Sequence, residues 1–320
     1  MASRATKHVH YDFGSPDAIA ASTGFVWVVN PSTSSVTEFS ASTDRLVRVV
    51  RGAQYHFNYP DSIAVDGSHV WVANLYGDSV TEFSKATGRL VRVVTGGRYR
   101  FSLPSGVVSD GSRVWVASGS GNMVTELAAS NGGLIRVMVG ESYGFTHPSA
   151  LALDGAHLWV ANSYGSALIE INASTGALIG TIKGAAFGFS FPSGVFVSGR
   201  HLWVTSSAYR SSVTELTNST GHLVRVISGP KVGLSYAEAI TSDGRHLWVA
   251  NAGSSKSGWV TELSVAKGER VRVIKGPAFG FRLPDAIASV GGLVFVANHS
   301  ANSVTEFSAS TGQLVRVLRN

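Results

Sequence analysis

Apolar residues in this chain fall into short runs of four to six, broken by turn residues, and the runs recur as a set. One set reads Ser62-Ile63-Ala64-Val65, His69-Val70-Trp71-Val72-Ala73, Ser79-Val80-Thr81-Glu82-Phe83 and Leu90-Val91-Arg92-Val93-Val94. Runs of this length, rich in β-branched residues and bounded by Gly, Asp and Ser, predict strands, and no stretch predicts a helix. Aligned on the Trp of the second run, the copies fall at Trp27, Trp71, Trp115, Trp159, Trp203, Trp248 and Phe295, with intervals of 44, 44, 44, 44, 45 and 47. Four short strands within such a period define one propeller blade. The chain is therefore expected to be an all-β, seven-bladed β-propeller with four antiparallel strands per blade. A lead-in over 1–15 precedes blades at 16–59, 60–103, 104–147, 148–191, 192–236, 237–283 and 284–320.

Turn chemistry supports this division. Asp66-Gly67, Asp110-Gly111, Asp154-Gly155 and Asp243-Gly244 each join a first to a second run, which predicts tight hairpins with positive φ at both positions. The aligned Trp residues are expected as core between neighbouring blades rather than as a stacking platform. Glu recurs in every copy, from Glu38 and Glu82 to Glu306, and Arg follows ten residues later in every copy except the fourth, where Gly180 stands. A charge repeated once per blade reads as a cross-strand scaffold pair. His69, His157, His201 and His246 occupy one repeated position and are expected to face solvent.

Composition changes this picture little. Hydrophobic residues make up 44% and charged residues 14%, which suits sheets covered on both faces. The net charge of +6 favours anionic partners, but no basic run is long enough to single out nucleic acid. The absence of Cys excludes disulfides, thiolate metal sites and a Cys nucleophile, and is compatible with any compartment, extracytoplasmic included. Residues 1–15 lack an apolar centre, so no secretory leader is expected there, and no apolar run is long enough to span a membrane. No phosphate loop or Ser-His-Asp order stands in a suitable context. A soluble monomer is expected.

Val-Trp-Val-Ala-Asn, Ser-Val-Thr-Glu and Leu-Val-Arg-Val together resemble YVTN/NHL-type β-propeller repeats, of the virginiamycin B lyase-like superfamily, from Pro16 to Leu318. The resemblance implies that the first strand of each blade is innermost. Because the first copy starts and the last copy ends with all four strands, the ring is expected to close without an exchanged strand, by blade packing alone. Lyases of that superfamily are expected to carry a Glu-x-His pair near magnesium. Here Glu238 is followed by Ala239-Ile240, and His299 lies in another loop, so the pair has no counterpart.

With that strand order, the hairpins share one face, while the inter-blade linkers and the loops after the second strand share the other. The copies differ most on this second face. Tyr55, Tyr99, Arg100, Tyr143, Tyr164, Tyr209, Trp259 and His299 are its candidate ligand residues, with Lys256 and Tyr76 beside them, because aromatic rings among cations suit an anionic or carbohydrate ligand. The linker Phe residues are expected to plug the blades. The residue after each opening Pro (Ala237 in the sixth copy) is placed at the mouth of the central channel. In blade order these are Asp17, Asp61, Ser105, Ser149, Ser193, Glu238 and Asp285. Asp17, Asp61, Glu238 and Asp285 adjoin once the ring closes, and their oxygen donors suit Ca²⁺ or Mg²⁺. The leading expectation is a scaffold that binds a small molecule, glycan or protein around this mouth. The alternatives are a divalent-metal-dependent lyase or hydrolase using the four acids, and a nucleic-acid binder.

Overall fold

The computed structural model describes residues 10–254 and 257–320, so Lys256 and the first nine residues lie outside the described part. The chain forms seven four-stranded antiparallel sheets, each built from consecutive strands in the order inner, second, third, outer. Blade two is typical, with strands Pro60–Val65, His69–Asn74, Ser79–Ser84 and Leu90–Thr95. Among the described residues the only helices are one-turn 3₁₀ segments, and no helix is long and apolar enough to cross a membrane.

Blade-on-blade burial holds the ring. The second and third strands are largely buried on both faces, and the six Trp side chains of the second strands are 0–1% exposed. Each Trp packs into the cluster it shares with the next blade, as Trp71 does with Val107, Val114 and Val116. Burial of one such ring contributes roughly 2–3 kcal/mol. The Glu–Arg pairs form in register: Glu82 lies opposite Arg92, with Nε 3.1 Å from the carboxylate. Each Arg also reaches forward to the next blade. Arg48 donates to the Ala86 carbonyl at 3.0 Å and Arg272 to that of Ser310 at 3.2 Å. Across the closure seam Arg316 instead meets the Asp44 carboxylate at 2.6 Å, because Asp44 occupies the left-handed turn position that Gly fills elsewhere.

Three sequence expectations need correction. First, no Asp of the Asp-Gly hairpins has positive φ; the Gly does at Gly111, Gly155 and Gly244, but not at Gly67. The Asp ends the strand, and its carboxylate accepts the N–H groups that follow, as Asp66 does from Ser68 and His69. In blades two and four it also accepts the indole N–H, from Trp71 and Trp159. These bonds hold Asp66 and Asp154 below the usual carboxylate range despite burial. Second, the repeated His residues are half-buried against the scaffold acids. His201 Nδ1 is 2.6 Å from Glu215, and His157 Nε2 is 3.6 Å from Glu170.

Third, although no strand is exchanged, packing between blades is not the whole of closure. Linkers descend between successive outer strands, and five of the six carry a stacked aromatic pair: Tyr55–Phe57, Tyr99–Phe101, Tyr143–Phe145, Phe187–Phe189 and Phe279–Phe281; the linker between blades five and six packs Val232 and Leu234 instead. Tyr11–Phe13, in the lead-in, stack the same way at 5.2 Å and fill the wedge between blades seven and one. Tyr11 donates to the Asp44 carbonyl as Tyr55 does to that of Gly88. The Asn320 amide then brackets the Phe13 backbone, accepting its N–H at 2.9 Å and donating to its carbonyl at 2.8 Å. The first residues described therefore serve as the seventh linker.

Candidate functional site at the channel mouth

The inner strands begin with an irregularity that shapes the site. In blades two to seven the ladder shifts register at its first residues, as between Pro60 and Ser62, so the residue after the opening position has no partner across the strand pair. Such a bulge re-aims its side chain. Ala237 opens blade six with the same shift, so proline is not what imposes it. In blade one Asp17 precedes the strand and its N–H bonds the Val29 carbonyl. All seven of these residues line the channel or its mouth, around cavities of about 520 and 440 Å³.

The mouth is two-sided. On the seven–one side, the His299 Nδ1 meets an Asp17 carboxylate oxygen and stands 3.5 Å from Asp285. One donor atom from each of the three lies within 4.8 Å of the others. Burial, and then the Asp17 and Asp285 charges, push Asp61 up to about 7. Burial likewise pushes Asp285 up to about 7, with Asp17 and Glu238 adding to the effect and His299 offsetting part of it. The hydrogen bond to Asp17 raises the His299 imidazole above its ordinary value. Glu238 sits apart from this group, raised by burial and held by the Ser207 hydroxyl at 2.5 Å.

The opposite side is hydroxyl. Ser193 donates to the Ala237 carbonyl of the next blade at 2.8 Å, and Ser149 to that of Pro192 at 3.4 Å. Ser105 Oγ is buried with no hydrogen-bond partner in the described structure. Above both sides stands a rim of residues in the left-handed region immediately before the opening position. Tyr59, Leu103, His147, Phe191, Tyr236 and Leu283 are all at φ between 44° and 58°. This conformation costs bulky side chains roughly 1 kcal/mol or more each. Leu103, Phe191 and Tyr236 are exposed there, Tyr76 leans tilted against Tyr59, and Tyr164 stacks on His147.

The remaining candidates divide. Tyr55 and Tyr99 are buried and Tyr143 nearly so, with their hydroxyls bonded to the turn carbonyls of Gly88, Gly132 and Gly176. They sit between blades because the linker dives into the wedge, so they are not presented to a ligand. Arg100 is exposed in a left-handed turn, and Tyr209 is 77% exposed on the rim side. Trp259 is half-buried, its indole N–H on the Gly233 carbonyl at 2.7 Å. His299 belongs with the acids rather than with the aromatic loops, and sequence reasoning did not join it to them.

No protein-family model and no curated protein matches the chain. Solved structures do match, and they define its class as a β-propeller. One is Kuenenia stuttgartiensis hydrazine synthase, at 18% identity and a TM-score of 0.75, covering 95% of this chain and 98% of that one. Another is the WD40 repeats of RRP9, at 11% identity and a TM-score of 0.71, covering 90% and 88%. The computationally designed Ika8 protein is similar at 15% identity and a TM-score of 0.70, covering 97% and 89%. At these identities the likeness is one of fold.

Proposed function

We propose that the protein is a binding propeller that holds a divalent cation at Asp17, Asp285 and His299 and seats a polar ligand, a small molecule or sugar, over it in the channel mouth. The observation that carries this reading is the convergence of two carboxylates and one imidazole at a mouth where two acids are held near 7. A cation there would offset both the burial and the neighbouring negative charges that raise Asp61 and Asp285. The nitrogen donor moves the preference from Ca²⁺ or Mg²⁺ toward Mn²⁺, Fe²⁺ or Zn²⁺. The hydroxyl side and the aromatic rim supply the groups by which a sugar or similar ligand is recognised. The blade pattern supports, within the same proposal, an origin among YVTN/NHL-type repeats.

Separate calorimetric titrations with Mn²⁺, Zn²⁺, Mg²⁺ and Ca²⁺ test it. One site per chain for Mn²⁺ or Zn²⁺, lost in Asp285→Asn and kept in the hairpin-face control Asp110→Asn, is the expected result. No heat from any of the four ends the cation reading.

A metal-dependent lyase or hydrolase is the second reading, favoured by one observation. Asp61, near 7 beside the cluster, has the protonation balance of a general acid or base. Turnover by the metal-loaded protein that Asp61→Asn abolishes without weakening metal binding would select it.

A further inference from the structure

At some junctions between neighbouring blades a groove opens at the mouth end, outside the channel, bounded by the linker and the end of the next outer strand. Between blades one and two it is about 650 Å³ and holds Arg51, Asn58 and Thr95, with Arg51 neutralised by Asp12 at 3.2 Å. Between blades six and seven it widens to about 860 Å³, and the three corresponding positions are Lys275, Arg282 and Arg319. No carboxylate lines it, and among the described residues none of the three cations has an acidic partner.

The repeat itself shows that the scaffold does not ask for these charges. The Lys275/Arg319 position is Arg51, Thr95, Val139, Lys183 or Ser228 in blades one to five, and the Arg282 position is Gly14, Asn58, Ser102, Thr146, Ser190 or Ser235 at the other junctions. Only here do three cations meet. Blade six also has the longest loop after its second strand, and Trp259 takes a place that is Ser79 in blade two and Ser303 in blade seven. Trp259 and Phe281 thus wall the groove with aromatic carbon. The Arg319 guanidinium lies over Gly280, where a Cβ would approach it to 3.0 Å.

We infer that this groove is an anion site, and that its ligand is a small molecule with two or more phosphate or carboxylate groups. Guanidinium forks pair with both group types in two-point fashion, and an unpaired triple charge in a concavity this size is complementary to a multiply charged anion. The inference does not rest on a cation at the channel mouth.

Back-substitution provides the test, because each replacement is a residue that another blade already carries. Inorganic triphosphate and citrate are titrated calorimetrically into wild type, into the triple variant Lys275→Ser, Arg282→Asn, Arg319→Thr, and into a control triple, Arg45→Gln, Arg89→Gln, Lys267→Thr. The control removes the same charge from the hairpin face. Binding of either probe at one site is expected, with roughly tenfold loss for each guanidinium removed and the control unchanged. Whichever probe binds more tightly names phosphate or carboxylate as the group recognised. No binding of either probe, or equal loss in both triples, overturns the inference. Thermal melts of both triples establish that they fold.

Discussion

Asp61 offers the sharpest energetic test of the channel mouth. Its carboxyl is held near 7 against an ordinary value of 3.8, roughly three pK units and so about 4 kcal/mol between the two protonation states. The mouth is open to water and relaxation is allowed, so we expect ~1–3 kcal/mol to be realised. The sign follows from linkage. The folded chain binds the Asp61 proton more tightly than the unfolded chain, so this stabilising contribution is fully present below pH 3.8 and is lost as pH rises through about 7. Asn has nearly the shape of the protonated acid and does not titrate. Asp61→Asn should therefore match wild type near pH 4 and exceed it by ~1–3 kcal/mol at pH 8. Urea unfolding across that range, with chelator present, measures the difference directly. A difference that does not change with pH, or a variant less stable than wild type at pH 8, would refute the reasoning.

Other consequences concern the scaffold. Gly180 lies opposite Glu170, where every other blade has Arg, and open space surrounds its Cβ position. Gly180→Arg should stabilise by about 1 kcal/mol through the new pair and the loss of a strand glycine, read as a higher urea midpoint. Phe13→Ala removes one ring of the closing pair and should cost ~3 kcal/mol, comparable to Phe57→Ala within the ring; a negligible loss would mean the seam does not depend on the lead-in. Buried Glu306 is pushed up to about 8 by burial and the neighbouring Asp44. Its contribution is therefore present below pH 4.5 and lost through about 8, and Glu306→Gln should flatten that part of the stability profile.

Much of this was legible in the chain because a propeller repeats its constraints seven times. The Trp, the Glu–Arg pair and the left-handed Gly before the outer strand, Gly88 in blade two, each recur for a reason that operates within one blade. The convergence of the post-proline residues was legible too, since phase alone puts them at one end of the inner strands. Three features were harder to read. Tyr11-Asp12-Phe13 matches Tyr55-His56-Phe57 five residues before the blade start, yet it carries no strand pattern that would mark it as part of the closure. His299 joins Asp17 across 282 residues only because the ring closes, and its position is Leu75 in blade two, so the repeat gives no warning. The bulge that aims Asp61 and its counterparts is a ladder slip common to proline and alanine openings, and composition does not mark it.

A crystal soaked in Mn²⁺ and measured at the manganese absorption edge tests the cation site most directly. One anomalous peak is expected among Asp17, Asp285 and His299 at the channel mouth, absent from Asp285→Asn crystals. A map with no peak there, or with the ion held by other residues, would contradict it.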